Sequence, residues 1–325
     1  MPIRQGGTLT KNVAIWSRRI CFFKTVFPCS TCGVAHHWAR KLQALGHTIK
    51  LMAPQFVKPY VKTNKNDAAD AEAICEAVAR PNMRFVPLKN IEQQAVLSLH
   101  RVRQGFVGAR TALANQIRGL LAEFGLVVPK GISHVCGKGP ELIEDASNEL
   151  PGTFRLLIAR LLDHLKELDR QVNELEAQIK TSHRASEANR KLEKIPGIGP
   201  ITASALVATI GDAKNFENGR QLAAWMGLVP AQSTSGGKTN LLGISKRGDT
   251  YLRTLLIHGA RSAVRAFKSG QTGNPWLKKL LERRNLNIAA VAALANKNAR
   301  IVWALLIRGR DYKSGYSPKK AGATA

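Results

Sequence analysis

Apolar residues in this chain recur mostly at helical spacing. Between Glu92 and Phe124, the residues Leu113, Ile117, Leu120, Leu121 and Phe124 fall at i, i+4, i+7, i+8 and i+11, one stripe on a helix. From Gly152 to Lys180 the spacing alternates between four and three: Leu161, Leu165, Leu168, Val172, Leu175 and Ile179 form a heptad seam. The partner of that seam is either the Glu92–Phe124 helix of the same chain or another subunit. Between the two helices, Gly125, Pro129, Gly131, Gly137, Gly139 and Pro140 mark residues 125–140 as a loop. Further on, a short apolar helix within Phe216–Leu228 ends at Gly227, and Asp249 is placed as the N-cap of another. A last helix covers Ile288–Leu306, and the polar tail from Asp311 is expected to fray.

Before Glu92 the pattern changes. Ile20–Phe27 reads as a strand, Ala35–Leu45 as a helix closed by Gly46, and Thr48–Met52 as a strand stopped by Pro54. Ala68–Ala79 is Ala-rich, with Ile74 and Val78 four apart, and reads as a helix; Phe85-Val86-Pro87 closes the region. The expected organisation is an α/β region over 1–90 and a helical, coiled-coil region over 91–185. A mainly α domain over 186–310 and a flexible tail over 311–325 follow.

Composition sharpens this. The 325 residues are 44% hydrophobic, enough for a packed core, and carry a formal charge of +27. So large an excess points to a polyanion partner, DNA or RNA; a basic protein of a ribosome-like assembly shares that partner class. No run approaches a membrane span and Met1–Leu9 lacks a signal-peptide core, so the expectation is a cytoplasmic protein with no membrane partner. Five scattered cysteines argue against a disulfide framework. Cys29 and Cys32 with His36 and His37 can be drawn as a zinc site, but no second ligand pair follows at a finger-like spacing.

Three stretches carry candidate chemistry. No acid precedes Asp67, and Asp70 follows three residues later, so both carboxylates share one helix face. Two hard oxygen ligands there suit Mg²⁺ or Mn²⁺ beside a phosphate; equally, acids in a first turn oppose the helix dipole. Leu192-x-x-Ile195-Pro196-Gly197-Ile198-Gly199-Pro200 fits a helix-hairpin-helix, in which Gly197 and Gly199 let the backbone approach a phosphate; the alternative is an ordinary turn. Ser233-Thr234-Ser235-Gly236-Gly237-Lys238 is either a plain loop or a bendable stretch presenting a nucleophile, with Lys238, Lys246 and Arg247 near enough to neutralise phosphate. Beyond it, Arg253, Arg261 and Arg265 read as one basic stripe.

Taken in order, four pieces resemble one family: Asn66-Asp67-Ala68-Ala69-Asp70-Ala71, Pro196-Gly197-Ile198-Gly199-Pro200, Ser235-Gly236-Gly237-Lys238, and Ile244-Ser245-Lys246-Arg247-Gly248-Asp249-x-Tyr251-Leu252-Arg253. They resemble the DEDD transposases of the insertion sequence 110 family, relatives of the pilin-gene invertase, over about residues 28–308. The resemblance implies an N-terminal RuvC-like (RNase H-type) domain holding a metal with four acids. It also implies a coiled coil used in assembly and a C-terminal domain with a helix-hairpin-helix and a nucleophilic serine. It implies DNA strand cleavage and rejoining, a structured guide RNA, a homo-oligomer, and Mg²⁺ or Mn²⁺. By position, Asp67 and Asp70 match the last two acids, Ser235 matches the serine with Ser233 as fallback, and Gly197, Gly199, Lys238, Lys246, Arg247 and Arg253 fall on the DNA side. The first Asp has no counterpart, and Ser30 stands where the family's Glu falls, in Cys29-Ser30-Thr31-Cys32-Gly33-x-Ala35-His36-His37-Trp38. The RuvC-like domain is therefore expected to be incomplete, its N-terminus truncated or replaced, its metal held weakly and its activity impaired. The alternative is a catalytically dead, nucleic-acid-binding remnant.

Overall fold

The structure, a computed structural model, describes residues 26–28, 34–62, 67–236, 238–270, 275–283 and 288–313. The chain divides into two compact units, Met1–Asn90 and Ile91–Ala325. No described helix is long and apolar enough to cross a membrane.

Among its described residues the first unit has a three-stranded sheet in the order β1 (Val26–Pro28), β2 (Lys50–Met52), β3 (Phe85–Val86). β1 and β2 run parallel, joined by helix α1 (Ala35–Ala44), while β3 returns antiparallel with Met52 opposite Phe85. Ala35, Ala39 and Leu42 bury the inner face of α1, Ala35 and Ala39 against Leu51. A short helix α2 (Pro54–Val57), with proline at its first position where no N–H is missed, leads to α3 (Asp67–Ala79). The alanines that favour helix in α3 also set its packing: Ala73 and Ala77 lie flat against Met52 and Val57, flanked by Ile74 and Val78.

The second unit is built on two long helices, α4 (Ile91–Glu123) and α6 (Gly152–Ala185). Arg103 of α4 pairs with Glu176 of α6 at 2.6 Å, and Arg110 pairs with Asp169. Seven residues up one helix match seven down the other, so the two run antiparallel. Leu113, Ala114, Ile117 and Leu121 pack on Ile158, Leu162, Leu165 and Leu168, so α4 of the same chain covers the N-terminal part of the α6 seam, up to Leu168. Residues 125–140, expected as a loop, contain the start of helix α5 (Ile132–Glu144). The glycine that reads as a breaker there is a packing contact. A Cβ on Gly139 would stand 2.8 Å from a methyl of Leu162, so any larger residue here requires that side chain to shift.

Short helix α7 (Glu187–Glu193), capped by the Ser186 hydroxyl, and α8 (Pro200–Ile210) flank the Ile195–Gly199 turn. Helix α8 is apolar nearly all round and is buried from Thr202 to Leu206 and again at Ala208–Ile210, the centre of the second core. Around it lie α9 (Gly219–Trp225), α10 (Thr250–Lys268), α11 (Pro275–Arg283) and α12 (Ile288–Arg308). Between α9 and α10 the stretch read as a loop is an antiparallel hairpin, β4 (Pro230–Ser235) and β5 (Lys238–Ile244). The tail beyond α12 is anchored as far as it is described. Lys191 Nζ donates to the Gly309 carbonyl at 2.8 Å, Lys194 pairs with Asp311 at 3.0 Å, and Tyr312 packs on the core.

Candidate nucleic-acid interface and serine hairpin

Asp67 and Asp70 occupy the first turn of α3, and Asp70 is half-buried. The next acids on the helix are already engaged: Glu76 meets Arg80 at 2.7 Å and Lys62 at 3.3 Å. Those two bonds, Arg80 first, hold the Glu76 carboxyl below the usual carboxylate range. Among the described residues no group of three or more His, Cys, Asp or Glu could hold a metal. Two carboxylates are short of the four-acid set; with waters they match only a loosely held Mg²⁺. Ser30, Cys29 and Cys32 lie outside the described residues. His36 accepts a backbone N–H from Lys89 at 3.4 Å.

Gly197 sits at φ +89°, a conformation side chains resist, and its Cα faces helix α10. An added Cβ would stand 2.6 Å from the Gly259 carbonyl oxygen, and one on Gly259 would stand 1.8 Å from that of Gly197. The two glycines meet backbone to backbone. Asn298 of α12 ties the same turn down, its Nδ2 donating to the Pro196 carbonyl at 2.9 Å. Gly199 differs: it is the N-cap of α8 at φ −94°, and a Cβ added there would meet no atom within 4 Å. A shallow cavity of about 370 Å³ opens here, lined by Lys194, Thr202 and Ser262 as well as the turn itself.

Ser235 is exposed at the end of β4, where it pairs with Lys238 across the turn that holds Gly236 at φ +54°. Ser233 lies two residues back on the same face and is exposed too. The arm also exposes Leu241 and Leu242, 65% and 58%. Lys246 and Arg247, expected beside the serine, are exposed at the opposite end of the hairpin. Eight residues separate Lys238 from Lys246, roughly 25 Å at a strand's rise, so only Lys238 shares the tip. The base is closed tightly. Ser245 N–H donates to Val229 O at 2.8 Å and Lys246 N–H to Gly227 O at 3.1 Å. A Cβ on Gly227 would stand 1.9 Å from Arg247 O, and one on Gly248 1.9 Å from Trp225 O.

Arg253 is a correction to the expected basic stripe. It is only 8% exposed, and its guanidinium donates to the carbonyls of Met226 at 3.3 Å and Arg247 at 3.4 Å. The stripe fails because eight helical residues turn about 80° past two full circles and twelve turn about 120° past three. Arg261 and Arg265 are exposed while Arg253 faces the hairpin base. Asp249 caps α10 as expected, accepting from Leu252 N–H at 3.0 Å.

One polar cluster escaped the sequence reading. His100 of α4 is 1% exposed, with Nδ1 3.0 Å from the Tyr251 hydroxyl of α10 and Nε2 3.2 Å from the Ser204 hydroxyl of α8. Burial, then the nearby Arg103 charge, pushes its pKa down to about 4. The sequence signals were thin: a lone histidine in a helix, and a tyrosine two residues after a cap.

Two family models match this sequence. One, described as "Transposase IS116/IS110/IS902 family", covers residues 189–282. The other, a DEDD model of the IS110 group described as "Transposase", covers residues 29–125. A "Probable family 20 transposase" of Pseudomonas aeruginosa is 52% identical over 300 residues, 90% of this chain and 88% of that protein. The "Transposase for insertion sequence element IS1111A" of Coxiella burnetii is 45% identical over 87% of this chain and 78% of its own length. For that of IS1328 from Yersinia enterocolitica the figures are 42%, 94% and 92%.

Proposed function

We propose, from the premise that the chain belongs to the IS116/IS110/IS902 family of insertion-sequence transposases, that it recombines DNA through Ser235. The Ser235 oxygen bonds to a backbone phosphorus and a deoxyribose oxygen leaves as a hydroxyl, with the serine's proton passing to the leaving group. Rejoining reverses the step with the hydroxyl of the new strand, so each phosphodiester broken is replaced by one formed. The observation that carries this reading is the exposure of Ser235 at the tip of a hairpin whose base is locked by glycine contacts and by Arg253. A nucleophile on a rigid arm keeps its aim while staying open to a bulky substrate.

DNA binding is assigned to the second unit: the Pro196–Gly199 turn, taken as the centre of a helix-hairpin-helix, with Lys246, Arg247 and Lys238 on the hairpin. A structured guide RNA and a homo-oligomer belong to the same reading. The first unit is taken as a RuvC-like domain. Asp67 and Asp70 would contribute two carboxylates to a divalent ion, whose chemistry would be to neutralise charge on the phosphate. The α4–α6 pair is taken as the coiled-coil region, a reading supported by the packing of the α6 seam up to Leu168 on α4 of the same chain.

A second reading, a remnant that binds nucleic acid without chemistry, is supported by the absence of any acid before Asp67 and by Ser30 at the Glu position. The experiment is a covalent protein–DNA adduct assay with Mg²⁺, comparing the parent, Ser235→Ala, Ser233→Ala, and a version with Ser30→Glu and an acid-bearing first strand. Adducts lost only in Ser235→Ala support the recombinase. Adducts confined to the restored version support the remnant, and adducts surviving Ser235→Ala overturn the serine assignment.

A further inference from the structure

We infer that Tyr251 and His100 are positioning residues that register the serine hairpin against the long helices α4 and α6. The inference rests on the assignment of Ser235 for its catalytic consequence, but the geometry that motivates it does not involve that residue.

The physical case begins with the first turn of α10. Three of its polar residues have separate tasks. Asp249 caps the helix. Arg253 reaches the carbonyls of Met226 and Arg247 at the hairpin base, and its other nitrogen meets Thr250 Oγ1 at 3.1 Å. Tyr251, two residues earlier and so about 200° away around the helix, reaches the opposite way, to His100 of α4. One helical turn thus grips the hairpin with one side chain and the long helices with another.

The Tyr251 side of this grip is a polar chain through four helices. Glu176 of α6 accepts two bonds from Arg103 of α4, at 2.6 and 3.0 Å. Arg103 stands beside the Tyr251 hydroxyl. Tyr251 lies 3.0 Å from His100 Nδ1, and His100 Nε2 lies 3.2 Å from Ser204 of α8. The neutral imidazole donates from one nitrogen and accepts at the other, and each hydroxyl can take the complementary role, so both ring nitrogens are satisfied. Sliding α10 by a fraction of a turn leaves the buried His100 Nδ1 without Tyr251. An apolar contact tolerates such a slip; a buried hydrogen bond does not.

The test uses the full chain and three substitutions. Tyr251→Phe removes one oxygen and no bulk. His100→Leu removes both ring nitrogens. His100→Gln restores a donor and an acceptor on a similar frame and serves as the rescue. The first readout is amide hydrogen exchange followed by mass spectrometry. The N–H groups of Ser245 and Lys246 close the hairpin base. Their exchange should quicken on the order of tenfold in Tyr251→Phe and His100→Leu, and much less in His100→Gln. Protection of the core amides of α8 and α12 should stay near parental values. The second readout sets DNA affinity against adduct rate: affinity should hold within about twofold while the rate falls about tenfold.

Parental exchange at Ser245 and Lys246 in both disruptive variants overturns the inference. So does a uniform loss of protection across the whole core, which marks a merely stabilising network. The exchange readout decides these points whether or not any adduct forms. If Ser235→Ala retains adducts, the serine assignment fails and the registering role still stands or falls on exchange.

Discussion

Replacing Gly197 and Gly199 one at a time separates what holds the hairpin turn from what it touches. Gly197→Ala puts a methyl carbon 2.6 Å from the Gly259 carbonyl oxygen and 2.8 Å from its carbonyl carbon. Both are backbone atoms of α10, so no rotamer change relieves the clash. The residue must also hold φ +89°, which costs an L residue about 1–2 kcal/mol. Overpacking of a close contact costs about 1–3 kcal/mol more. A total of about 3 kcal/mol in a unit of this size lowers the melting temperature by about 6–12 °C. Gly199→Ala meets no atom within 4 Å at an ordinary φ of −94°. Its cost is the poorer N-cap, below about 1 kcal/mol. If that backbone approaches a phosphate, the added methyl should weaken DNA binding by roughly fivefold, about 1 kcal/mol. The assays are thermal melting by circular dichroism and DNA affinity at several salt concentrations, below every variant's melting range. A Gly197→Ala protein that melts within about 2 °C of the parent would refute the backbone contact. Equal destabilisation by Gly199→Ala would refute the distinction between the two glycines.

Arg253→Met should lower stability by about 2–3 kcal/mol, leaving two carbonyls without their donor, and should open the hairpin to proteolysis while the salt dependence of DNA binding stays unchanged. A salt slope shallower by about one would instead place Arg253 on a phosphate. For His100, folding holds the pKa near 4 against an ordinary value of 6.5, so the unfolded chain takes up the proton first as pH falls. Stability is therefore full above about pH 6.5 and declines by about 3 kcal/mol toward pH 4; denaturant titrations of His100→Gln should lack that part of the decline. Arg103 and Glu176 should couple by about 1–2 kcal/mol in a double-mutant cycle of Arg103→Met and Glu176→Leu, and independent effects would deny the pair a role. Lys246→Ala with Arg247→Ala should reduce the log–log salt slope for duplex DNA by about two, and an unchanged slope would remove both from the interface.

What could be read in the sequence was what local spacing encodes. The seam from Leu161 to Ile179 is legible because a heptad repeats over several turns, and the Asp249 cap because capping acts over three residues. The β4–β5 hairpin was missed because Gln232-Ser233-Thr234-Ser235 is polar on both faces and gives no alternation. Helix α5 was missed because Gly139 and Pro140 look like breakers until Leu162 is seen against the former. The role of Gly197 depends on Gly259, 62 residues on, and His100 meets Tyr251 across 151 residues. No local pattern carries either. The residues around Ser235 were legible as a set, but their distribution was not: Lys246 and Arg247 are close in sequence and lie at the far end of a strand.

The paired arginines of α4 also bear on how this molecule meets a polyanion. Arg103 and Arg110 face carboxylates of α6, and the Arg118 guanidinium donates to the Val128 carbonyl at 3.1 Å. Residues 141–193 hold eleven of the chain's 22 acids against eight bases, whereas residues 194–325 hold five acids against 21 bases. Of the chain's excess of +27, the second unit carries +17, and that share is graded along it. In the field of a nucleic acid such a body feels a torque as well as a pull. A second unit that binds nucleic acid would turn residues 194–325 toward the strands before contact, with the nearly neutral residues 141–193 behind. Encounters then begin already oriented, and added salt should erode that orientation as well as the attraction.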